Sequence, residues 1–171
     1  MAWRKRSKPS QEGTPEELMS RAQGKALRIL TFADRTEAEM RRKLEEGGFP
    51  PQVVSDVVEW LKELHYLDDA RFAAQFALSR ADRKSQSVIR MELRQKGIDG
   101  DLIDSACAQV ADQEAEAAYR AASGYARSRE DLSMEKMMAS VMRKGFPYAA
   151  ARQACQRVVE ELAGGDPPES L

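Results

Sequence analysis

The sequence predicts an all-α protein: three tandem three-helix repeats stacked into an elongated, curved solenoid. Three observations lead there. Alanine occurs 25 times while valine, isoleucine and threonine together occur 16 times, a balance that favours helix over strand. No proline, the main helix breaker, stands between Gln52 and Phe146. Three glycines, Gly48, Gly97 and Gly145, lie 49 and 48 residues apart with matching neighbours, and a shared period near 48 residues marks a repeat protein.

Each element follows from that alignment. Twelve residues before each glycine is a hydroxyl residue, Thr36, Ser85 or Ser133, of the type that accepts from the free amides at a helix start. Thr36 with Glu39 reads as a capping box. Eight residues before the glycine stand Met40, Ile89 and Met137, and four before it Leu44, Leu93 and Val141, one face of a helix. The glycine suits the left-handed turn that closes a helix. A second amphipathic helix follows, with Val53, Val54, Val57, Val58 and Leu61 in the first copy and the same spacing over Leu102–Val110 and Ala150–Val158. Upstream of each hydroxyl lies a further helical segment, Gly24 to Ala33, Arg71 to Ala81 and Ala115 to Ala126. The expected organisation is a basic, largely disordered tail over 1–23, repeats over 24–70, 71–114 and 115–163, and a polar tail over 164–171.

The repeat also reads the cysteines. Cys107 and Cys155 share a register position with Val58, so they read as core packing, ahead of a redox or metal role. His65 is the sole histidine, which leaves a zinc site short of ligands, and no metal or cofactor is expected. No P-loop, dinucleotide fingerprint, metalloprotease helix or nucleophile elbow is present. Asp68-Asp69 precedes a helix and reads as N-capping, so the chain is expected to bind and not to catalyse. No run of about 18 apolar residues and no leader pattern is seen, so a cytoplasmic protein without a membrane span is expected. Nothing demands more than a monomer.

With 27 basic against 28 acidic residues, affinity for an acidic partner must come from local patches. From Arg71 to Lys96 seven basic residues face Asp82 and Glu92 alone, and Asp99–Glu116 then carries six acidic residues and no basic one. Arg71, Arg80, Arg83, Arg90 and Arg94 are therefore the candidate partner or phosphate contacts, although such charges equally serve to solvate outer helix faces. No aromatic is interleaved among Arg80–Lys96, so a base-stacking platform is not suggested there. A helix-turn-helix reader of DNA is a weaker account of the glycine turns than repeat packing.

Tyr66-Leu67-Asp68-Asp69-Ala70-Arg71-Phe72-Ala73 and Ile89-Arg90-Met91-Glu92-Leu93-Arg94-Gln95-Lys96-Gly97-Ile98 resemble the RecX family of bacterial RecA regulators. Ala26-Leu27-Arg28-Ile29-Leu30, Thr36-Glu37-Ala38-Glu39-Met40 and Arg143-Lys144-Gly145-Phe146 fit the same pattern, which spans about Gly24 to Leu162. Two departures are His65, where a glycine usually precedes the tyrosine, and Lys84-Ser85-Gln86-Ser87, which lacks the usual glycine-proline. The resemblance implies a modulator that binds the RecA filament on single-stranded DNA and limits its recombinase, ATPase and coprotease activities, in the setting of DNA repair, recombination and the SOS response. The alternative is a helical-repeat DNA-binding protein acting independently of RecA through the same arginines.

Overall fold

A computed structural model describes residues 13–128 and 133–164. The described residues form nine α-helices and no strand: α1 Pro15–Leu30, α2 Glu37–Glu46, α3 Pro51–Glu63, α4 Asp69–Arg80, α5 Gln86–Gln95, α6 Gly100–Ala108, α7 Glu114–Arg127, α8 Met134–Arg143 and α9 Tyr148–Ala163. They fall into three successive triplets. A 3-10 turn over Ala111–Gln113 leads into α7.

The aligned positions occupy equivalent environments. Leu44, Leu93 and Val141 are all fully buried, as are Met40, Ile89 and Met137. Val58, Cys107 and Cys155 share the same 0% exposure, so the cysteines are core residues, and burial raises both thiol pKa values above the ordinary range. Gly48, Gly97 and Gly145 take φ of 85°, 80° and 88°, the left-handed region that closes each middle helix.

The start of the chain corrects the expected tail. α1 begins at Pro15, not Gly24, because Thr14 and Glu17 form a complete capping box with proline at the first helical position. Residues 15–23 are therefore helix, and Leu18 and Ala22 are buried. α4 and α7 likewise start one or two residues earlier than expected, at Asp69 and Glu114. Of the C-terminal tail only Gly164 lies within the described residues, and residues 1–12 of the N-terminal one lie outside them.

The chain divides into two compact units, and the boundary does not follow the repeats. The first holds residues up to Phe72 together with Gln95–Asp99; the second holds Ala73–Arg94 and the chain from Gly100 on. The core of the first unit joins Ala22 and Ala26 of α1 to Met40, Leu44, Val54, Val57, Val58 and Leu61. In the second, Ala117, Ala118, Ala121 and Ala122 of α7 pack on Met137, Val141, Ala151, Ala154, Cys155 and Val158. Alanine on α7 permits close helix approach, which is how a helix of small residues serves as the centre of a triplet.

The reason a turn of the second repeat belongs with the first unit is visible at its hydrogen bonds. Thr36 Oγ1 accepts from Glu39 N at 3.1 Å, capping α2, and donates to Lys96 O at 2.6 Å. Asp69 Oδ1 accepts from Glu37 N at 2.9 Å, at the start of the same helix. The second unit repeats the device. Ser85 Oγ accepts from Val88 N at 3.3 Å and donates to Lys144 O at 3.5 Å, while Glu114 Oε1 accepts from Gln86 N at 3.0 Å. In both, the start of one repeat's middle helix is closed by a carboxylate and a carbonyl of the next repeat. The third hydroxyl departs from the expectation: Ser133 is the N-cap of α8 but makes no side-chain capping bond.

Candidate partner-binding surface

The five candidate arginines sit on α4, α5 and the loop between them, and most hold internal partners. Arg71 belongs to the first unit. Its Nη2 donates to His65 O at 3.3 Å, and its side chain lines an open groove of about 540 Å³ with Leu27, Leu30, Leu64, His65 and Tyr66. His65 takes φ of 57°. A side chain there costs roughly 1 kcal/mol over glycine, and His65 sets an exposed imidazole beside the groove.

The other four belong to the second unit. Arg80 Nε donates to Glu92 Oε2 at 3.2 Å, and its guanidinium lies 4.0 Å from the centre of the Phe76 ring. Lys84 pairs with the second oxygen of Glu92. That carboxylate is only 24% exposed, so it neutralises two cations in a setting less wet than the open surface. Arg83 reaches its neighbour Asp82 at 3.3 Å, an exposed contact of small energetic consequence. Arg90 pairs with Asp104 of α6, and this hydrogen bond raises its pKa further. Arg94 is exposed and has no carboxylate partner among the described residues.

The basic stretch is thus largely compensated, by Glu92 and Asp82 within it and by Asp104 of the acidic stretch that follows. Besides Asp104, Glu114 is engaged on the amide of Gln86, and Glu116 pairs with Arg157 at 3.0 Å. Lys96, in the first unit, pairs with Glu39 at 2.8 Å. Burial pushes the Glu39 carboxyl upward, but the Lys96 ammonium and the Thr36 amide outweigh it and hold the pKa below the ordinary value.

Counting charge along the chain misses a second surface. Arg143, Lys144 and Arg152, near the α8–α9 turn, are exposed and have no carboxylate partner among the described residues. The signal was present in the sequence: from Met134 to Val159 the sole acidic residue is Glu135, against five basic ones.

Among the described residues no helix is long and apolar enough to cross a membrane. The described residues form a tandem three-helix repeat protein whose exposed side chains are mostly charged, of both signs, with scattered apolar ones among them.

The comparisons with known proteins agree. Residues 22–61 match the model for the first three-helix domain of RecX, and residues 68–106 the model for its second three-helix domain. The regulatory protein RecX of Mycobacterium avium (strain 104) is 32% identical over 166 residues, covering 92% of this chain and 90% of that protein. That of Cronobacter sakazakii is 43% identical over 101 residues, or 52% of this chain and 61% of that protein. The crystal structure of RecX from Lactobacillus salivarius superposes with a TM-score of 0.74 at 23% identity, covering 82% of this chain and 96% of that one. A second crystal structure, of a regulatory protein RecX, gives 0.72 at 26% identity over 81% of this chain and 73% of the other. The chain belongs to the RecX family.

Proposed function

We propose that this protein is a cytoplasmic modulator of the RecA recombinase that binds the RecA filament on single-stranded DNA and limits its recombinase, ATPase and coprotease activities. The observation that carries this reading is family membership across nearly the full length of a mycobacterial RecX. It acts by binding and not by catalysis, as a monomer, with no cofactor. Two compact units suit a partner that itself repeats, and bridging of neighbouring RecA protomers is the mechanism we favour. Electron microscopy showing contact with a single protomer at a filament end rules bridging out.

Among the five arginines, Arg94 is the foremost contact, since its side chain is exposed and no carboxylate among the described residues holds it. Arg71, Arg80, Arg83 and Arg90 contribute after releasing or sharing the partners described above. The alternative of an independent DNA-binding protein using the same arginines is weaker, because Arg80, Arg83 and Arg90 already hold carboxylates. The deciding experiment is RecA ATP hydrolysis on single-stranded DNA with the purified protein at substoichiometric amounts. Hydrolysis falls if the reading holds and is unchanged if it is wrong. Arg94→Glu should weaken the inhibition several-fold with the helical spectrum intact, and full inhibition by the folded variant removes Arg94 from the surface.

A further inference from the structure

The geometry points to a binding surface for single-stranded nucleic acid on the third repeat, at the α8–α9 turn, formed by Arg143, Lys144, Tyr148 and Arg152. It goes beyond the filament reading and does not depend on it.

The repeat supplies the argument, because the same register positions carry different chemistry in each copy. Seven residues past the glycine stand Ser55, Asp104 and Arg152; seven before it, Arg41, Arg90 and Met138. These two positions face each other across the middle and third helices of a repeat. In the first copy Arg41 Nη1 donates to Ser55 Oγ at 3.2 Å, and in the second Arg90 pairs with Asp104. In the third the acid has become an arginine and the arginine a methionine, so Arg152 stands opposite Met138 with no carboxylate partner among the described residues. The residue before the glycine changes in the same sense. Lys96 is neutralised by Glu39, but the position corresponding to Glu39 in the next copy is Val88, and the lysine that follows there, Lys144, is exposed and has no carboxylate partner among the described residues. Arg143 occupies the place of Glu46 and Gln95. Three substitutions at three registers thus leave three cations near one turn without a carboxylate partner among the described residues.

An aromatic residue stands between Lys144 and Arg152 in the chain. Tyr148 is the first residue of α9, 57% exposed, where the other copies have Pro51 and Gly100. Arg152 is one helical turn further on, so the ring and the guanidinium share a face of α9. Met142, 44% exposed, lies in the last turn of α8, on the other side of the loop. Cations spaced around an exposed phenol suit a flexible polyanion that carries flat, stackable groups: phosphodiesters neutralised by Arg143, Lys144 and Arg152, and a base laid on the Tyr148 ring. A duplex hides its base faces, so a single strand is the form the ring can reach. An acidic protein segment would use the cations and leave the tyrosine without a role.

The test uses the full chain and a fluorescent oligothymidine with no RecA present. Anisotropy titrations over a salt series should show binding whose salt slope falls by about 2 in the Arg143→Ala/Lys144→Ala/Arg152→Ala variant, as removal of three phosphate contacts to a single strand requires. Tyr148→Ala should weaken binding roughly tenfold with the slope unchanged, and Tyr148→Phe should restore it, because stacking and not the hydroxyl is at issue. Circular dichroism checks that each variant is folded. No binding by the parent chain, an unchanged slope in the folded triple variant, or competition by polyglutamate as effective as that by oligothymidine overturns the proposal. Inhibition of RecA is a separate readout, so loss of one activity without the other identifies which reading has failed.

Discussion

The second and third repeats share a backbone pattern and differ in how their charges are settled. In the second, Glu92 holds Arg80 and Lys84, and Asp104 holds Arg90. In the third, Arg143, Lys144 and Arg152 are exposed and have no such partner among the described residues. The lesson is that a surplus of basic residues in a stretch of sequence is not a basic surface. Which carboxylates a helix meets across the fold decides that, and those carboxylates come from another helix.

The largest effect that separates the repeats concerns their turns. An added Cβ at Gly97 would come 2.3 Å from the Ala38 Cβ, which is fixed to its own helix backbone. At Gly145 the nearest atoms, Ser85 Oγ and Val88 Cγ2, are both 2.7 Å away and belong to side chains. Gly97→Ala is expected to cost about 3 kcal/mol, combining left-handed strain with overpacking, and Gly145→Ala distinctly less. Urea unfolding of the two variants decides it, and equal losses would mean that the two turns are seated with equal tightness.

A smaller effect would convert one repeat's surface toward the other's. Glu92→Gln releases Arg80 and Lys84 from their shared carboxylate, at a stability cost of about 1 kcal/mol or less for a group that is partly solvated. If compensation is what silences the second repeat, this variant should bind oligothymidine more tightly than the parent and with a steeper salt slope. Unchanged binding would show that position, and not neutralisation, keeps those cations off a strand. A change of opposite sign is expected inside α7, where a Cβ at Gly124 meets nothing within 4 Å. Gly124→Ala should stabilise by roughly 0.5–1 kcal/mol through backbone entropy, read as a higher urea midpoint.

The fold was legible in the sequence wherever the information was local or periodic. Gly48, Gly97 and Gly145 announced both the helix ends and the repeat, and the apolar positions counted from them are the buried ones. The start of α1 was local too: Thr14-Pro15-Glu16-Glu17 writes a capping box, but the basic residues upstream draw the boundary to the wrong place when composition is weighed first. The surface was less legible. Arg80 meets Glu92 twelve residues away and Arg90 meets Asp104 fourteen away, on different helices, so a running charge count cannot register either pair. The repeat alignment could have done so, since it sets Asp104 opposite Arg90 and Arg152 opposite Met138. Asp69 shows the same limit: beside Asp68, which accepts from Arg71 N and caps its own helix, it reads as a second cap of α4, but its carboxylate serves α2.

That carboxylate gives the most delicate comparison, between the two joints. Burial raises the pKa of Asp69, the Glu37 amide opposes the rise, and the nearby Glu37 carboxylate adds to it. Glu114 plays the equivalent part in the second unit. An acid whose pKa is higher in the folded chain holds its proton there after the unfolded chain has released it. Stability from this group is therefore greatest below the ordinary aspartate value of 3.8 and declines as pH rises through the raised value. Asp69→Asn keeps an oxygen to accept from Glu37 N and has nothing to ionise. Its stability relative to the parent should accordingly improve as pH rises from below 3.8 toward neutrality and then level off. Urea midpoints across that range test it. Parallel curves would mean that solvent reaches Asp69 freely. A variant that instead loses ground as pH rises would mean that the ionised carboxylate, acting on the positive end of α2, is worth more than its burial costs.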